Sequence, residues 1–302
     1  MPDRIALVVP VFNGERYLPA LLDSIRTQGI SLQTILVDNG STDQGISHAV
    51  SHDQSLIVLR QVRNEGFGAA CNAGIRRALS DGAEWVFVLN QDLILEQHAL
   101  RQAVAAAEAN PRIGFLGLFQ LNYDGSGLDP IFRQYLPPAY GDDLLLRTPH
   151  ISYLVSFVPA AAILLRRDCL LEQGAFDPLY FMYLEDRDLC HRLLTSGWKI
   201  AISTSARVRH DCGQVRAEKS FRWNLNWYLS RTLYHLKSSP RSLPVAYVTA
   251  LKHLLPRWSL TEAFHWGVAW CRSLGLAGKL SRHRLSVPEV GSPNHVDRAT
   301  HS

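Results

Sequence analysis

The chain has 302 residues, of which 47% are hydrophobic, enough for one large domain or two small ones and too many for wholesale disorder. Five cysteines, Cys71, Cys169, Cys190, Cys212 and Cys271, form no C-x-x-C pair, which argues against a disulfide framework or structural zinc and fits a reducing compartment. The net charge of +4 conceals an asymmetry: residues 1–197 carry 15 basic and 22 acidic side chains, a balance of −7, whereas residues 198–302 carry 16 and 5, a balance of +11.

The opening "MPDRIALVVPVFNG" has too short an apolar run for a signal peptide, and no stretch reaches the roughly 18 uninterrupted apolar residues of a membrane span. Ile5–Phe12 reads as a buried strand. The helix that follows places Leu18, Leu21, Leu22 and Ile25 on one face and stops at Gly29. Thr34–Asp38 and Ser55–Gln61 read as the second and third strands. A helix opened by Gly66 and Gly68 and closed by Gly82 leads to a fourth strand, "EWVFVLN", and then to a helix ending before Pro111. "IGFLGL" is a fifth strand. Strands alternating with helices of this length predict βαβ units: an α/β fold with a mainly parallel, Rossmann-like sheet flanked by helices.

From Gln120 to His150 the pattern breaks down into Gly, Asp, Pro and Tyr, a candidate binding-loop region. Order returns with "SYLVSFVPAAAILLRR" and with a helix that begins near Glu185, buries Leu189, Leu193 and Leu194, and stops at Gly197 before a strand. Residues 216–280 read as a helical, basic extension holding Trp223, Trp227, Trp258, Trp266 and Trp270. Such a segment either meets an anionic membrane surface or forms a helical subdomain with a tryptophan core; no nucleic-acid-reading motif is present. Residues 281–302 are polar, with Pro288 and Pro293, and are expected to be a disordered tail.

In open α/β sheets, ligands bind outside the carboxyl ends of the strands. Here those ends carry polar residues in series. The first strand ends in Pro10, Asn13 and Gly14, the second in "DNGSTD" from Asp38, and the third leads into "RNEGFGAACNAGI". The fourth ends in Asn90, Gln91 and Asp92. One Asp after a strand is usually a helix cap, but four polar ends in order are poorly explained by capping. Gly66-x-Gly68-x-x-Cys71 is a partial dinucleotide-binding pattern with cysteine in place of the third glycine, and close backbone packing at a helix start explains the same glycines. "LEDRDL" offers Glu185, Asp186 and Asp188 near a helix start, where the dipole favours ionised carboxylates; ordinary helix-start charge is the simpler account of that segment taken alone. His210, in "RVRHDCG", is either a ligand or a solvated loop histidine.

The ordered series "VVPVFNG", "LVDNGSTD", "RNEGFGAACNAGI", "VLNQD", "GAFDPLYFMYLEDRDLCHRL", "GWKI" and "VRHDCG" resembles glycosyltransferase family 2, particularly its bacterial rhamnosyltransferase-like branch, over about residues 5–215. The resemblance implies a GT-A fold in residues 1–215, a nucleotide-sugar donor, a divalent metal (Mg²⁺ or Mn²⁺) and inversion at the anomeric carbon. It implies that Pro10, Asn13, Asp38, Gly66, Gly68, Asn72, Asn90 and Gln91 line the donor site. Asp92 and His210 would hold the metal, Asp186 would act as base, Glu185 would orient the acceptor, and Asp188 would face solvent. Asn90 departs from the family's DxD pattern, which leaves a non-catalytic nucleotide-sugar-binding or scaffold protein with a decayed metal motif as the rival. The resemblance further implies L-rhamnose from dTDP-rhamnose as the transferred sugar. The acceptor would be a glycan or glycolipid in surface-polysaccharide synthesis, and the location the cytoplasmic face of the membrane.

Overall fold

The computed structural model describes residues 5–136, 152–211, 221–239, 244–246, 248, 260–276 and 279. Its elements in chain order begin with β1 (Ile5–Val11), α1 (Leu18–Arg26), β2 (Gln33–Asp38), α2 (Gly45–His52), β3 (Ile57–Arg60) and α3 (Phe67–Ser80). They continue with β4 (Trp85–Leu89), β5 (Leu93–Leu95), α4 (Ala99–Glu108), β6 (Ile113–Asn122) and β7 (Ser152–Val155). The last are β8 (Ala162–Arg166), α5 (Arg167–Gln173), α6 (Glu185–Thr195), β9 (Lys199–His210), α7 (Phe221–Ser238) and α8 (Leu260–Gly275).

The strands form one sheet in the order β3-β2-β1-β4-β8-β6-β9-β5, with β7 also on β9. β3, β2, β1 and β4 are mutually parallel, so their carboxyl ends share one edge. The continuous apolar runs of β1 and β4 follow from burial on both faces, as parallel strands between helices require. β8 runs antiparallel to β4 with Ala162 opposite Leu89, which delivers the chain just before β8 to that same edge. β9 pairs parallel with β6 and antiparallel with β5.

Two cores result. Ala70, Ile75, Leu170, Leu189 and Leu193 fill the face covered by α3, α5 and α6. Leu21, Ile46, Leu100 and Val104 fill the face covered by α1, α2 and α4. A third, smaller cluster joins Leu233 and Leu236 of α7 to Tyr180.

The series of βαβ units is as the periodicity predicts, and α6 begins at Glu185. α2 and the short β5 carry no clear periodic signal, and the sequence reading does not include them. β6 runs on to Asn122, into a segment expected to be irregular, because Phe119, Gln120 and Leu121 are buried beside β9. The boundary expected near residue 215, the part after Leu136 of the segment Gln120–His150 expected to be irregular, and the tail expected at 281–302 lie outside the described residues. Among the described residues, no helix is long and apolar enough to cross a membrane.

Candidate active site

The polar strand ends are stitched into a continuous chain of contacts around the sheet edge. It starts at the loop after β1. Asn13, at φ 52°, donates its backbone N–H to Ser41 Oγ at 3.1 Å, and its Oδ1 accepts from the N–H of Thr42 at 2.8 Å. Asn is among the residues that tolerate this left-handed conformation. Asp38 is buried; it accepts from the Ser41 N–H at 2.8 Å and from Arg60 Nη1 at 2.9 Å. Arg60 lies opposite Asp38 in the β2–β3 register and is itself mostly exposed. Pro10, partly buried in β1, lies opposite Val37.

The neighbouring Asn39 carries the contacts onward. Its Oδ1 accepts from the N–H of Glu65 at 2.8 Å, and its Nδ2 donates to the carbonyl of Gly66 at 3.2 Å. Gly66 has φ 95°, and a Cβ placed there would lie 2.1 Å from the carbonyl oxygen of Phe181, so no side chain fits. A Cβ on Gly68 would meet Phe176 at 3.0 Å and Glu185 Cγ at 3.7 Å. These two glycines therefore let the start of α3 approach the segment that leads into α6. Asn72 holds the same segment: its amide donates to the carbonyl of Phe176 at 2.7 Å and accepts from the Phe176 N–H at 3.0 Å. Its polar atoms serve the loop rather than open space.

At the start of α6, Tyr183 (φ 72°) and Leu184 (φ 65°) are consecutive non-glycine residues in the left-handed region. Such conformations cost of order 1–3 kcal/mol each and persist where the surroundings impose them. They throw the next two side chains into different environments. Glu185 is 6% exposed, and its Oε2 is buried without a hydrogen-bond partner. Desolvation, reinforced by the charge of Asp186, pushes its carboxyl up to about 8. Asp186 is half-buried, accepting from the Arg187 N–H at 2.7 Å and from the Ala160 N–H at 3.3 Å. Desolvation raises its carboxyl too, against those two hydrogen bonds, which favour the anion. Asp188 corrects an expectation: far from facing solvent, it is fully buried. It accepts from Tyr180 Oη at 3.2 Å and Arg192 Nε at 3.0 Å, and pairs with Lys237 of α7.

Ala160 links this carboxylate back to the fourth strand, because the next carbonyl, that of Ala161, accepts from the N–H of Asn90 at 2.7 Å. Gln91 then closes the chain. Its Oε1 accepts from the Phe12 N–H at 3.0 Å and its Nε2 donates to the Phe12 carbonyl at 3.2 Å, so it fastens the β1 loop instead of offering a free amide. The Oδ1 atoms of Asn90 and Asp92 are both buried and make no hydrogen bond. His210 Nε2 lies 3.5 Å from Asp92 Oδ1, too far for a good hydrogen bond. His210 Nδ1 stands 3.0 Å from Gln120 Oε1, which as assigned places the ring proton on Nδ1. The Tyr17 hydroxyl donates to Asp211 at 3.2 Å beside them.

Two orphaned oxygens and an oriented imidazole are a donor set that fits a hard divalent cation. Among the described residues, no group of three or more His, Cys, Asp or Glu side chains could hold a metal, so one bound here would depend on few protein ligands. A separate cavity of about 560 Å³ lies between α1 and α2, lined by Leu22, His48 and His52, on the face opposite α6. The strand-end chemistry does not involve it.

Sequence reasoning thus located the strand ends, whereas Arg60, Gln120, Ala160 and Lys237 escaped it. Arg60 closes its strand opposite Asp38 and becomes readable once the strands are paired. The others act across long sequence separations that no local pattern announces.

The family model described as glycosyl transferase family 2 matches residues 6–171. Among curated proteins, the N-acetylglucosaminyl-diphospho-decaprenol L-rhamnosyltransferase of Mycobacterium tuberculosis is 30% identical over 241 residues, covering 70% of this chain and 76% of that protein. The pre-mycofactocin glycosyltransferase of the same organism is 28% identical over 212 residues, covering 68% of this chain and 42% of that one. Among solved structures, residues 1–349 of TarS from S. aureus superpose with a TM-score of 0.58 at 15% identity, covering 89% of this chain and 80% of that one. The mannosyltransferase PcManGT from Pyrobaculum calidifontis, in complex with GDP-Man and Mn²⁺, superposes with a TM-score of 0.56 at 15% identity, covering 91% and 75%. At such identities these two structures establish a shared GT-A fold.

Proposed function

This chain belongs to glycosyl transferase family 2 and is a glycosyltransferase, and from that premise we propose that it transfers L-rhamnose from dTDP-rhamnose, with inversion, to a hydroxyl of a polyprenyl-linked glycan. The observation that carries the reading is the closed chain of contacts from Asn13 through Asp38, Gly66, Glu185 and Asp186 to Asn90 and Asp92. It gathers at one sheet edge the groups that a single displacement needs. The sugar and the acceptor follow the activity for which the mycobacterial relative is named.

In this reading Pro10, Asn13 and Asp38 line the nucleoside pocket, and the Gly66–Gly68 turn forms its floor. Asp92, with Asn90 and His210 beside it, would hold a divalent metal, Mg²⁺ or Mn²⁺, which when bound offsets charge on the departing diphosphate. Asn90 keeps an oxygen at the position where the family pattern has an acid, which favours catalysis over mere binding. Asp186 takes the proton of the acceptor hydroxyl: its two backbone hydrogen bonds favour the anion and fix its direction. Glu185, held largely protonated at neutral pH, serves as a donor that orients the acceptor. Gln91 and Asn72 keep the two flanking loops in place.

The basic C-terminal third would carry the enzyme to an anionic membrane at the cytoplasmic face. Phe264 (61% exposed) and Leu274 (51% exposed) of α8 offer apolar contact, and each nearby Lys or Arg contributes about 1 kcal/mol. Trp227, by contrast, packs edge-on against Tyr183, with ring centres 5.7 Å apart, and so belongs to the protein interior on that side. Flotation with anionic liposomes should show binding at low salt that high salt reverses; no binding at low salt excludes the membrane.

The test of the function is a panel of nucleotide sugars, including dTDP-rhamnose, UDP-galactofuranose and UDP-N-acetylglucosamine. Release of free nucleotide is read with and without a polyprenyl-diphosphate N-acetylglucosamine acceptor. Acceptor-dependent release from dTDP-rhamnose supports the reading, and turnover of another donor alone replaces the sugar.

A further inference from the structure

We propose that Lys237 of α7, outside the stretch matched by the family model, is a positioning residue that sets the geometry of the carboxylate pair opening α6. The inference rests on the reading of Asp186 as the base.

Lys237 is 1% exposed, yet it is a lysine. Buried ammonium groups survive only when paired. Its Nζ stands 2.5 Å from Asp177 Oδ2 and also pairs with Asp188 Oδ1. Asp177 lies near the start of the segment that leads into α6, and Asp188 lies within the first turn of α6 itself. One ammonium therefore pins both ends of the stretch that contains Tyr183, Leu184, Glu185 and Asp186.

α7 grips the same stretch at two more points. Ser230 Oγ donates to the carbonyl of Met182 at 2.7 Å, and the Trp227 ring packs edge-on against Tyr183. The left-handed backbone at Tyr183 and Leu184 thus lies directly under α7. Conformations of that kind hold only when over-determined by their surroundings, and α7 supplies that constraint.

Charge points the same way. Glu185 feels Asp186 and Asp188 on its own helix and neighbours Cys71 of α3 and Tyr183 of the preceding turn. Asp186 faces Arg187 and Cys190 on its own helix and Tyr135 from the loop after β6. Asp188 already pushes Glu185 upward while paired with both Lys237 and Arg192. Removing the ammonium strengthens that push and releases the backbone together.

The test compares Lys237→Met and Lys237→Arg with wild type in the full chain, using dTDP-rhamnose and polyprenyl-diphosphate N-acetylglucosamine. For Lys237→Met, kcat should fall at least about tenfold with donor KM within about threefold. Lys237→Arg should restore most of the lost kcat. A folded Lys237→Met with wild-type kcat overturns the proposal while leaving the base reading intact. Wild type that binds nucleotide but transfers to no acceptor overturns the base reading and the positioning role with it. Should Lys237→Met fail to fold, the double variant Trp227→Leu, Ser230→Ala loosens the same clamp without stranding a charge. It should lose kcat and keep donor KM, and an unchanged kcat overturns the proposal.

Discussion

Asp92 Oδ1 and His210 Nε2 stand 3.5 Å apart because β9 runs antiparallel to β5 and sets His210 opposite Leu93. Neither residue is near the other in sequence, and each would read alone as a loop residue. The two form an oxygen-and-nitrogen corner, and the Oδ1 atoms of Asp92 and of Asn90, two residues earlier in the chain, are buried without a hydrogen bond. Asp92→Asn should fold normally, since this carboxylate supports no core, and should lose transfer and all response to added Mg²⁺ or Mn²⁺. Wild-type activity that survives full chelation by EDTA contradicts the metal role of Asp92.

Gln120 tests the same corner from behind. Its Oε1 lies 3.0 Å from His210 Nδ1 and orients the imidazole. Loss of such a supporting partner typically costs 10–100-fold in metal affinity. Gln120→Leu should therefore require about that much more Mn²⁺ for half-maximal activity, with an unchanged maximum. An unaltered metal titration would mean that His210 is oriented by other contacts.

Glu185 makes a prediction about stability rather than rate. Its carboxyl is raised to about 8 in the folded chain, against 4.5 as its ordinary value. The folded state therefore binds more protons than the unfolded one between those values. The stability due to this group is fully present below about 4.5 and drains away as pH rises through about 8. Glu185→Gln cannot ionise, so its stability relative to wild type should climb over that window by up to about 4 kcal/mol. Urea unfolding of both proteins from pH 5 to 9 measures the difference, and parallel curves would show that Glu185 is not held protonated.

The strand ends were legible because each follows an apolar run and breaks it with an amide, a glycine or a carboxylate. Gly66 and Gly68 stand out for the same reason, and their reading as close-packing positions agrees with the 2.1 Å that would separate a Cβ on Gly66 from the Phe181 carbonyl oxygen and the 3.0 Å that would separate one on Gly68 from Phe176. Asp188 was misplaced because helix-start acids usually face water, and nothing local announces a lysine arriving from α7. The exact reach of β9, which brings His210 to Asp92, depends on pairing with β6 and β5. The loop contacts of Gln91 and Asn72 were not legible for a related reason: an amide at a strand end or in the first turns of a helix looks the same in sequence whether or not it fastens a neighbouring loop.

Gly66 offers a steric test of that close packing. Alanine there combines a left-handed backbone with a collision against the Phe181 carbonyl. Gly66→Ala should lose at least about 2 kcal/mol of stability and weaken nucleotide binding, because the α3 start must back away from the α6 segment. Gly29→Ala, also at positive φ but with open space around it, should cost about 1 kcal/mol and leave binding alone. Equal effects at the two positions would remove the steric argument.

Asp186 bears the central claim. Its carboxylate is aimed by the N–H groups of Arg187 and Ala160 and is linked through Ala161 to Asn90, beside Asp92. The decisive measurement is the single-turnover rate of sugar transfer by Asp186→Asn, taken alongside calorimetric titration of the nucleotide. Loss of a general base should slow transfer by about 10²–10⁴-fold, with nucleotide affinity unchanged because the proposed nucleotide pocket lies on the earlier strands. A near wild-type transfer rate in Asp186→Asn would contradict the account.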